Sequence, residues 1–319
     1  MRKISIIGSG VAGLWCGFLL SQKDFEVHIY ERQDHTLSEA CSYRAGGMLA
    51  PYCEAENAEP LITSLGVRSI ALWKEYFPDE TFINGSLLLS HPRDGNMLRH
   101  FEDMTENYHI CDKAAISKLE PDLSGRFEKG LFYPDEGHIA PRKLLPRMIE
   151  ACRKNNVTFH FCSEYEQDHS DYLIDTRGLW AKDAQPLRGV KGEMVIIRCK
   201  DITLKRPVRL LHLRHPLYIV PRADHHYMIG ATTIETETVT HNVSLRSAGE
   251  LLTQAYHLHP AFGEAEIIEF NTGLRPAYED NLPRIVTDGH KFYLNGLYRH
   301  GWTIAPALAE QLVDKIIEP

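Results

Sequence analysis

The stretch Lys3-Ile4-Ser5-Ile6-Ile7-Gly8-Ser9-Gly10-Val11-Ala12-Gly13 sets the fold of this chain. Its first five residues predict a short buried strand, and apolar residues then recur at the spacing of one helical face: Val11, Leu14, Trp15, Phe18 and Leu19. Gly8 permits a tight turn between strand and helix, Gly10 lets a pyrophosphate approach the main chain, and Gly13 lets the helix pack closely on the strand. The stretch therefore predicts a dinucleotide-binding turn.

The residues that follow complete this motif. Phe25 to Tyr30 predicts a second strand, and Glu31 ends it 23 residues after the first glycine, where a carboxylate can hold ribose hydroxyls. The N–H groups of Val11 and Ala12, at the positive end of the helix dipole, can bind an anion. Three chance glycines beside a solvated Glu31 are the alternative, and the ordered succession of strand, turn, helix, strand and acid argues against it. Arg32 leaves open the possibility that the dinucleotide carries a 2′-phosphate on its ribose, although the preceding acid would repel that group.

The composition is that of a globular protein of 319 residues, 43% hydrophobic and 24% charged. The formal net charge is −8 and no run of Lys and Arg could follow a phosphate backbone, so nucleic acid is not expected as a partner. Seven cysteines without a C-x-x-C pair indicate reduced thiols. The pairs His212/His215 and His257/His259 lack companions at ligand spacing, so no metal is expected.

The first residues also resemble a secretory signal, because Met1-Arg2-Lys3 precedes a mostly apolar stretch that reaches Leu20. The glycines of the dinucleotide turn interrupt that stretch and give it a different function. No other segment reaches membrane-spanning length, so we expect a cytoplasmic protein that does not enter a membrane.

Further segments resemble the D-amino-acid oxidase family of flavoenzymes, and together they run along the whole chain. Ala45–Pro51 is similar to the family's small-residue loop beside the isoalloxazine ring. There Gly46 and Gly47 would let the main chain lie against a flat ring, and Met48 would make a soft apolar contact. An ordinary loop is the alternative for this segment taken alone.

Two more segments carry the resemblance through the middle of the chain. Asp171–Gly178 resembles the family's second FAD-contacting strand, which implies cofactor contacts from Thr176 and Gly178, and Arg188–Met194 resembles the crossing into the substrate domain. The dinucleotide turn cannot separate FAD from NAD. A nicotinamide enzyme usually needs a second catalytic domain with its own acid or base, so the rest of the chain favours FAD. With no cysteine after Cys199, the FAD is expected to be non-covalent.

Gly296–Pro306 predicts a glycine-rich turn that opens a helix, with Thr303 as its N-cap and Pro306 in its first turn. An apolar stripe follows at four-residue steps: Ile304, Leu308, Leu312 and Ile316. The family places this helix N terminus at the flavin's pyrimidine edge, where negative charge accumulates on reduction. The resemblance therefore implies cofactor contacts from five residues of the segment: Gly296, His300, Gly301, Trp302 and Thr303.

Tyr218 and Arg275 match family positions whose side chains hold the substrate carboxylate. A guanidinium fork can bind a carboxylate through two hydrogen bonds, and a phenol can add a third. Taken alone, Tyr218 fits an ordinary strand aromatic and Arg275 a surface ion pair, and the family match favours the ligand role. Arg299 is the third candidate, because its carbonyl would receive the substrate amine.

The resemblance implies an α/β fold: a Rossmann-like FAD-binding domain and a mostly antiparallel-sheet substrate domain of α+β type. The FAD-binding domain is expected to be discontinuous, from residues 1–80, 140–190 and 276–319, with the substrate domain from 81–139 and 191–275. Strands of the substrate domain are expected near 86–90, 131–139, 191–199, 207–213, 217–232 and 265–275.

The chain also departs from the family. It is shorter between Thr158 and Asp171, where members usually carry a β-ribbon over the FAD-binding domain. Tyr43-Arg44 and Trp302 are larger than the residues expected there in glycine oxidases. Trp302 would either narrow the pocket toward glycine or pack underneath it.

Within the family, the chain looks most similar to glycine oxidases of thiamine biosynthesis. That similarity implies oxidative deamination of a small amino acid, glycine first, by hydride transfer to flavin N5, with oxygen as acceptor and glyoxylate, ammonia and hydrogen peroxide as products. A D-amino acid or sarcosine oxidase or dehydrogenase with another acceptor is an alternative, as is a non-catalytic flavin-binding or RNA-modification-associated module. Two protein partners are left open by the sequence: a second copy of the chain, in a homo-oligomer, and a downstream thiazole-forming enzyme.

Overall fold

The computed structural model describes residues 1–166, 169–212, 216–236, 238 and 240–317. Its helices, in chain order, are α1 Val11–Leu20, α2 Pro60–Tyr76, α3 Gly95–Met104, α4 Lys113–Leu119, α5 Pro141–Lys154, α6 Leu245–Leu258 and α7 Gly301–Ile317. Its strands are β1 Arg2–Ile7, β2 Phe25–Glu31, β3 Met48–Leu49, β4 Thr81–Phe82, β5 Ser86–Ser90, β6 His109–Asp112, β7 Lys129–Tyr133, β8 Gly137–Ile139, β9 Thr158–Phe161, β10 Tyr172–Asp175, β11 Arg188–Arg198, β12 Val208–Leu211, β13 Leu217–Pro221, β14 His226–Gly230, β15 Ile234–Glu235, β16 Glu266–Ala277, β17 Arg284–Asp288 and β18 Lys291–Asn295. Short 3-10 turns include Cys53–Glu56 and Gly178–Asp183.

A six-stranded sheet contains the dinucleotide turn and has the order β17-β18-β10-β1-β2-β9. Its pairs are parallel except the edge pair of β17 and β18. Ile4 and Ile6 of β1 and Ile29 of β2 are completely buried, as expected for central strands of a parallel sheet that helices cover. The predicted succession of strand, turn, helix and strand is confirmed, and so is the Rossmann-like class of the fold.

A larger sheet has the order β15-β11-β14-β13-β12-β5-β7-β6, with β16 paired to β11 beside that path. Its pairs are antiparallel except that of β5 with β12. The ladder of β11 and β16 is the longest and runs from Arg188 opposite Ala277 to Arg198 opposite Glu266. The prediction of a second, mostly antiparallel sheet is confirmed.

The single strand predicted at 131–139 is wrong. The chain instead forms β7 and β8, and β8 pairs with β3 and β4 in a separate three-stranded sheet. Glu136 lies at the break, where its buried carboxylate accepts hydrogen bonds from the Cys53 N–H and the Ser86 hydroxyl. The predicted strand 207–213 is the shorter β12, and residue 213 lies outside the described residues.

Helix α7 packs against α1 and α2, so a segment far along the sequence covers the first βαβ unit. The predicted apolar stripe of α7 is buried: Ile304, Leu308, Leu312 and Ile316. Trp15 of α1 contacts Trp73 of α2 edge to face, with ring centroids 4.8 Å apart. Within the described residues, no helix combines the length and apolar character that crossing a membrane requires.

Candidate functional site

A cavity of about 1020 Å3 extends from the dinucleotide turn to the large sheet. All the site residues predicted from the sequence line it except Gly13 and Gly296. Those two glycines shape the main chain behind the cavity wall. Gly296 has a φ of +76°, and a β-carbon there would lie 2.2 Å from the Tyr278 ring.

The dinucleotide turn has the close contacts that its glycines predicted. A β-carbon on Gly13 would lie 1.9 Å from the Gly8 carbonyl oxygen and 2.6 Å from the Thr176 hydroxyl oxygen, so helix and strand meet only because position 13 is glycine. Gly8 has a φ of +95°. Gly10 has more room: the nearest atom to a β-carbon there would be the Ser42 hydroxyl oxygen, at 3.4 Å. The Val11 N–H donates to that same hydroxyl (3.0 Å).

Glu31 ends β2 at the cavity wall, 6% exposed. Its carboxylate accepts hydrogen bonds from the N–H and the hydroxyl of Ser9 (both 2.9 Å) and from the Gln33 N–H (3.0 Å). An ionised carboxylate has about four acceptor positions, so capacity remains for a ribose hydroxyl. The neighbouring Arg32 guanidinium stacks on Trp180, 3.7 Å from the ring centroid. Trp180 also lines the cavity and was not predicted.

Thr176 and Gly178 hold β10 in place beside the turn. The Thr176 hydroxyl lies within hydrogen-bond distance of the carbonyls of Ile7 (2.9 Å) and Gly8 (3.0 Å), and the Gly178 carbonyl accepts from the Asn295 side chain (2.8 Å). The carboxyl ends of β1, β10 and β18 are thereby joined where the cavity passes. Ligands of open parallel sheets bind at such carboxyl ends.

The loop of Gly46, Gly47 and Met48 lies between this turn and the large sheet. Gly47 has a φ of +65°, and a β-carbon there would lie 2.6 Å from the Ile139 carbonyl oxygen. A β-carbon on Gly46 would lie 3.0 Å from the Tyr218 ring. The Gly46 carbonyl accepts from Arg222 (2.5 Å), so a half-buried guanidinium holds the loop in place. Small residues thus bring main chain to the cavity wall, where a flat ring would fit.

Helix α7 begins at Gly301, so the prediction of Thr303 as N-cap is wrong. The first helical bond runs from the Ile304 N–H to the His300 carbonyl (3.0 Å), and the Thr303 hydroxyl donates instead to the Met48 carbonyl (3.1 Å). Pro306 consequently lies beyond the first turn. It has no N–H for the Trp302 carbonyl, and the Trp73 indole N–H donates there instead (3.0 Å).

Trp302 packs beneath the cavity. Its side chain is 4% exposed, its indole N–H donates to the Ser42 carbonyl (3.0 Å), and its ring lies 5.5 Å from that of Trp73. Of the two alternatives for Trp302, this geometry favours packing over narrowing of the pocket. Tyr43 and Arg44, the two large residues before the glycine loop, also have partners within the protein. The Arg142 guanidinium lies over the Tyr43 ring, and Arg44 donates to the Thr272 carbonyl (3.3 Å).

The structure brings Tyr218 and Arg275 to the same part of the cavity, which we call the clamp. Arg275 donates to the Thr232 carbonyl (3.0 Å) and extends across Gly192 of the paired strand. The Tyr218 phenol lies between main chain at Gly46 and at Gly230, where β-carbons would come within 3.1 and 2.7 Å of its oxygen. Burial raises the pKa of Tyr218, with Arg275 acting in the opposite direction, so the phenol stays protonated at neutral pH and can donate a hydrogen bond.

Beside the clamp lies a charged cluster of Glu54, Arg209 and Arg299. Arg209 and Arg299 both pair with the Glu54 carboxylate, Arg299 at 2.8 Å, and His300 Nδ1 lies 3.7 Å from it. Burial opposes ionisation of Glu54, but the arginines outweigh it and hold its pKa well below the ordinary value. Neither Glu54 nor Arg209 was predicted from the sequence. The available signal was a lone arginine in the apolar strand Val208–Leu211.

Metal ligands and thiols add little to this site. Among the described residues, no group of three or more His, Cys, Asp or Glu side chains could hold a metal ion. His215 of the pair noted in the sequence lies outside the described residues. All seven cysteines are free thiols, and Cys41 lines the cavity, where burial raises its pKa.

The family model of FAD dependent oxidoreductases (DAO) matches residues 3–315. A Rhizobium etli protein assigned to thiamine biosynthesis as the oxidoreductase ThiO is 41% identical over 318 residues, 99% of this chain and 96% of that protein. Glycine oxidase of Geobacillus kaustophilus is 26% identical over 350 residues, 99% of this chain and 92% of that protein. The crystal structure of glycine oxidase from Bacillus cereus has the same fold, with a TM-score of 0.87 at 21% identity over 99% of this chain and 97% of that chain.

The cavity fits the cofactor in that family description. Close main-chain approach at the turn, a buried acid at the end of β2 and a flat glycine wall are the features that a flavin dinucleotide requires. The chain therefore belongs to the DAO family of FAD dependent oxidoreductases, and FAD is its cofactor.

Proposed function

We propose that this chain is a glycine oxidase that serves thiamine biosynthesis, with oxygen as electron acceptor. The observation that carries the proposal is the meeting of Arg275, Tyr218 and the main chain of Gly46 in one cavity. The relatives named ThiO and glycine oxidase support the choice of reaction and pathway.

The clamp suits the carboxylate of an amino acid. The bond from Arg275 to the Thr232 carbonyl fixes the guanidinium, which has further N–H groups for a carboxylate. The Tyr218 hydroxyl, held protonated, supplies another donor. The Arg299 carbonyl accepts an N–H of the amine. These contacts hold the α-carbon over the glycine wall of Gly46 and Gly47.

FAD held by the dinucleotide turn, Glu31 and the loop of Gly46 and Gly47 would supply the acceptor for a hydride lost from the α-carbon, with oxygen taking up the electrons as hydrogen peroxide. The chain's own residues orient the substrate and exclude water, which can lower a barrier by up to about 7–11 kcal/mol in favourable cases. Glycine, oxygen and water thus give glyoxylate, ammonia and hydrogen peroxide. No side-chain base is assigned, because the amine form of the substrate needs none for hydride loss.

We assign the two large sheets to two domains. Residues 1–80, 140–190 and 276–319 form the FAD-binding domain, and residues 81–139 and 191–275 the substrate domain. A cytoplasmic location is part of the proposal. A second copy of the chain and a downstream thiazole-forming enzyme are the proposed protein partners.

Oxygen consumption and peroxide formation by the purified yellow protein test the proposal. Glycine, sarcosine, D-alanine and D-proline are compared side by side, and glycine turnover at least equal to that of D-alanine is expected. Bleaching of the flavin without oxygen uptake would indicate a dehydrogenase with another acceptor. FAD binding without reduction by any amino acid would indicate a non-catalytic flavin protein and contradict the proposal.

A further inference from the structure

The peptide between Gly46 and Gly47 is held by donors outside the cavity. Both glycines are buried and line the cavity, whereas Arg222, which binds their peptide, does not line it. The Gly46 carbonyl accepts from Arg222 Nη2 (2.5 Å), and Nη1 of the same guanidinium donates to the Pro221 carbonyl (3.2 Å). The Gly47 carbonyl accepts from the Ile139 N–H (2.9 Å). Two successive carbonyls of the loop are therefore bound by protein donors.

The direction of a carbonyl fixes the direction of the N–H in the same peptide, because the two groups of a trans peptide point in opposite directions. The Gly46 carbonyl points to Arg222, away from the cavity, so the Gly47 N–H points toward the cavity. Among the residues that the structure describes, no acceptor for the Gly47 N–H lies within hydrogen-bond distance. A buried N–H without a partner costs free energy, so the expected acceptor is a ligand in the cavity.

The main chain alone does not hold this peptide in one orientation. A flip of the peptide plane changes ψ of Gly46 and φ of Gly47, and glycine adopts both signs of φ at little cost. Gly47 has a φ of +65°. A flip would turn the Gly46 carbonyl into the cavity and the Gly47 N–H away from it. The hydrogen-bond partners of the peptide therefore decide its orientation.

Arg222 is suited to hold the Gly46 carbonyl. Burial lowers the pKa of Arg222 to about 10, with Tyr218 acting in the opposite direction, so the guanidinium stays charged at neutral pH. A charged donor binds a carbonyl more strongly than a neutral one, and it polarises the peptide so that the N–H becomes a better donor. Arg222 follows β13, four residues after Tyr218 of the clamp, and both side chains reach Gly46.

We propose that Arg222 is a positioning residue for the flavin: by binding the Gly46 carbonyl, it keeps the Gly47 N–H directed at the isoalloxazine ring. The inference rests on the proposed function, in which the loop of Gly46 and Gly47 holds FAD. The polar edge of an oxidised isoalloxazine carries several acceptor atoms, and hydrogen bonds to them tune the ring. A carbonyl turned into the cavity would repel these atoms.

The Gly47 N–H can be observed by itself, because Gly46-Gly47 is the only pair of adjacent glycines in the sequence. The protein is made by cell-free synthesis with glycine that carries 15N and a 13C carboxyl carbon, which keeps the label out of serine. A carbonyl-filtered 1H–15N NMR spectrum then shows the Gly47 amide alone. Its proton shift and its exchange with D2O are measured in the oxidised holoenzyme.

Arg222→Met removes the donor to the Gly46 carbonyl. The Gly47 N–H should then exchange about tenfold faster than in the wild type, and its proton resonance should move upfield, because one hydrogen bond is lost. Arg222→Lys keeps a charged donor and should restore most of the wild-type behaviour. Arg222→Gln serves if Arg222→Met folds poorly. Its amide nitrogen ends two bonds short of the position of Nη2, so the same change is expected.

Sulfite gives a readout on the flavin itself. It adds to the oxidised flavin, and the adduct carries a negative charge that a directed N–H stabilises. The Kd of sulfite, measured by bleaching of the flavin absorbance, should rise about tenfold in Arg222→Met and stay near the wild-type value in Arg222→Lys. A weaker sulfite complex with an unchanged Gly47 resonance would show that Arg222 acts by its charge alone, which overturns the proposal.

The matched control is Arg142→Met. Arg142 is a cation whose charge also acts on Arg222, but its guanidinium binds Glu269 (2.8 Å) instead of the loop. Its removal should leave the Gly47 resonance, the exchange rate and the sulfite Kd as in the wild type. Changes as large as those in Arg222→Met would indicate a general effect of charge and overturn the proposal.

The role of Arg222 and the proposed function fail separately. A Gly47 N–H that behaves alike in the wild type, Arg222→Met and Arg222→Gln refutes the role of Arg222, even if glycine is oxidised normally. A wild-type holoenzyme that oxidises no amino acid refutes glycine oxidation, even if the Gly47 N–H and the sulfite Kd depend on Arg222 as expected.

Discussion

The guanidinium of Arg275 lies where a side chain of residue 192 would be: a β-carbon on Gly192 would be 2.2 Å from Arg275 Nη2 and 2.4 Å from its Cζ. The two residues are on paired strands, with Arg275 opposite Val190 and Gly192 opposite Gly273. The absent side chain at position 192 therefore lets the arginine extend across the ladder to the cavity. The orientation of Arg275, the residue proposed to bind the substrate carboxylate, thus depends on Gly192 as much as on Arg275 itself.

Gly192→Ala is expected to raise KM for glycine roughly tenfold, the effect of about 1.4 kcal/mol, with FAD still bound. The new methyl group would push the guanidinium aside, and the fold would tolerate this because the tip of a flexible side chain yields. Steady-state kinetics and flavin content measure both effects. Gly249→Ala is the control, since nothing lies within 4 Å of a β-carbon there. An unchanged KM in Gly192→Ala would show that Arg275 does not bind the substrate.

Arg275→Ala is expected to cost about 2–5 kcal/mol of substrate binding, at least roughly 30-fold in KM, because the carboxylate loses its charged partner. Arg275→Lys should also bind glycine poorly, because an ammonium group cannot form the two parallel bonds of the guanidinium fork. The flavin spectrum should remain that of the wild type. The measurement is KM for glycine in both variants at saturating oxygen. Wild-type values of KM would show that Arg275 is not part of the substrate site.

Gly13→Ala is expected to abolish FAD retention. Its β-carbon would lie 1.9 Å from the Gly8 carbonyl oxygen, a main-chain atom that cannot move without opening the turn. The helix propensity gained, about 1 kcal/mol, is too small to offset this contact. The flavin-to-protein ratio after purification tests the prediction. Gly95→Ala, where nothing lies within 4 Å of a β-carbon, should purify with full flavin content.

Trp302→Phe is expected to lower stability by about 1–3 kcal/mol, because the Ser42 carbonyl loses its buried donor and the contact with Trp73 shrinks. The preference for glycine over D-alanine should stay the same, since the ring packs beneath the cavity. Denaturant unfolding and a comparison of kcat/KM for the two substrates test this. A marked gain of D-alanine activity would show that Trp302 limits substrate size.

The sequence predicts those parts of the site whose chemistry is local. Three glycines at fixed spacing define the dinucleotide turn, because each meets a need of the main chain within a few residues. The ion pair of Glu54 with Arg209 could not be predicted, because it joins residues 155 positions apart whose meeting depends on the whole fold. Thr303 was misplaced for a related reason: its hydroxyl finds a partner at Met48, on a distant loop, instead of capping its own helix.

The packing of α7 on α1 bears on how the protein is made. The dinucleotide turn is translated before β18 and α7, which complete its sheet and cover its helix and lie more than 250 residues later in the sequence. While those intervening residues are synthesised, the nascent turn lacks its covering helix. We expect the flavin to be acquired only after translation of residues 291–317, so the supply of folded enzyme would depend on FAD that is free at that later stage.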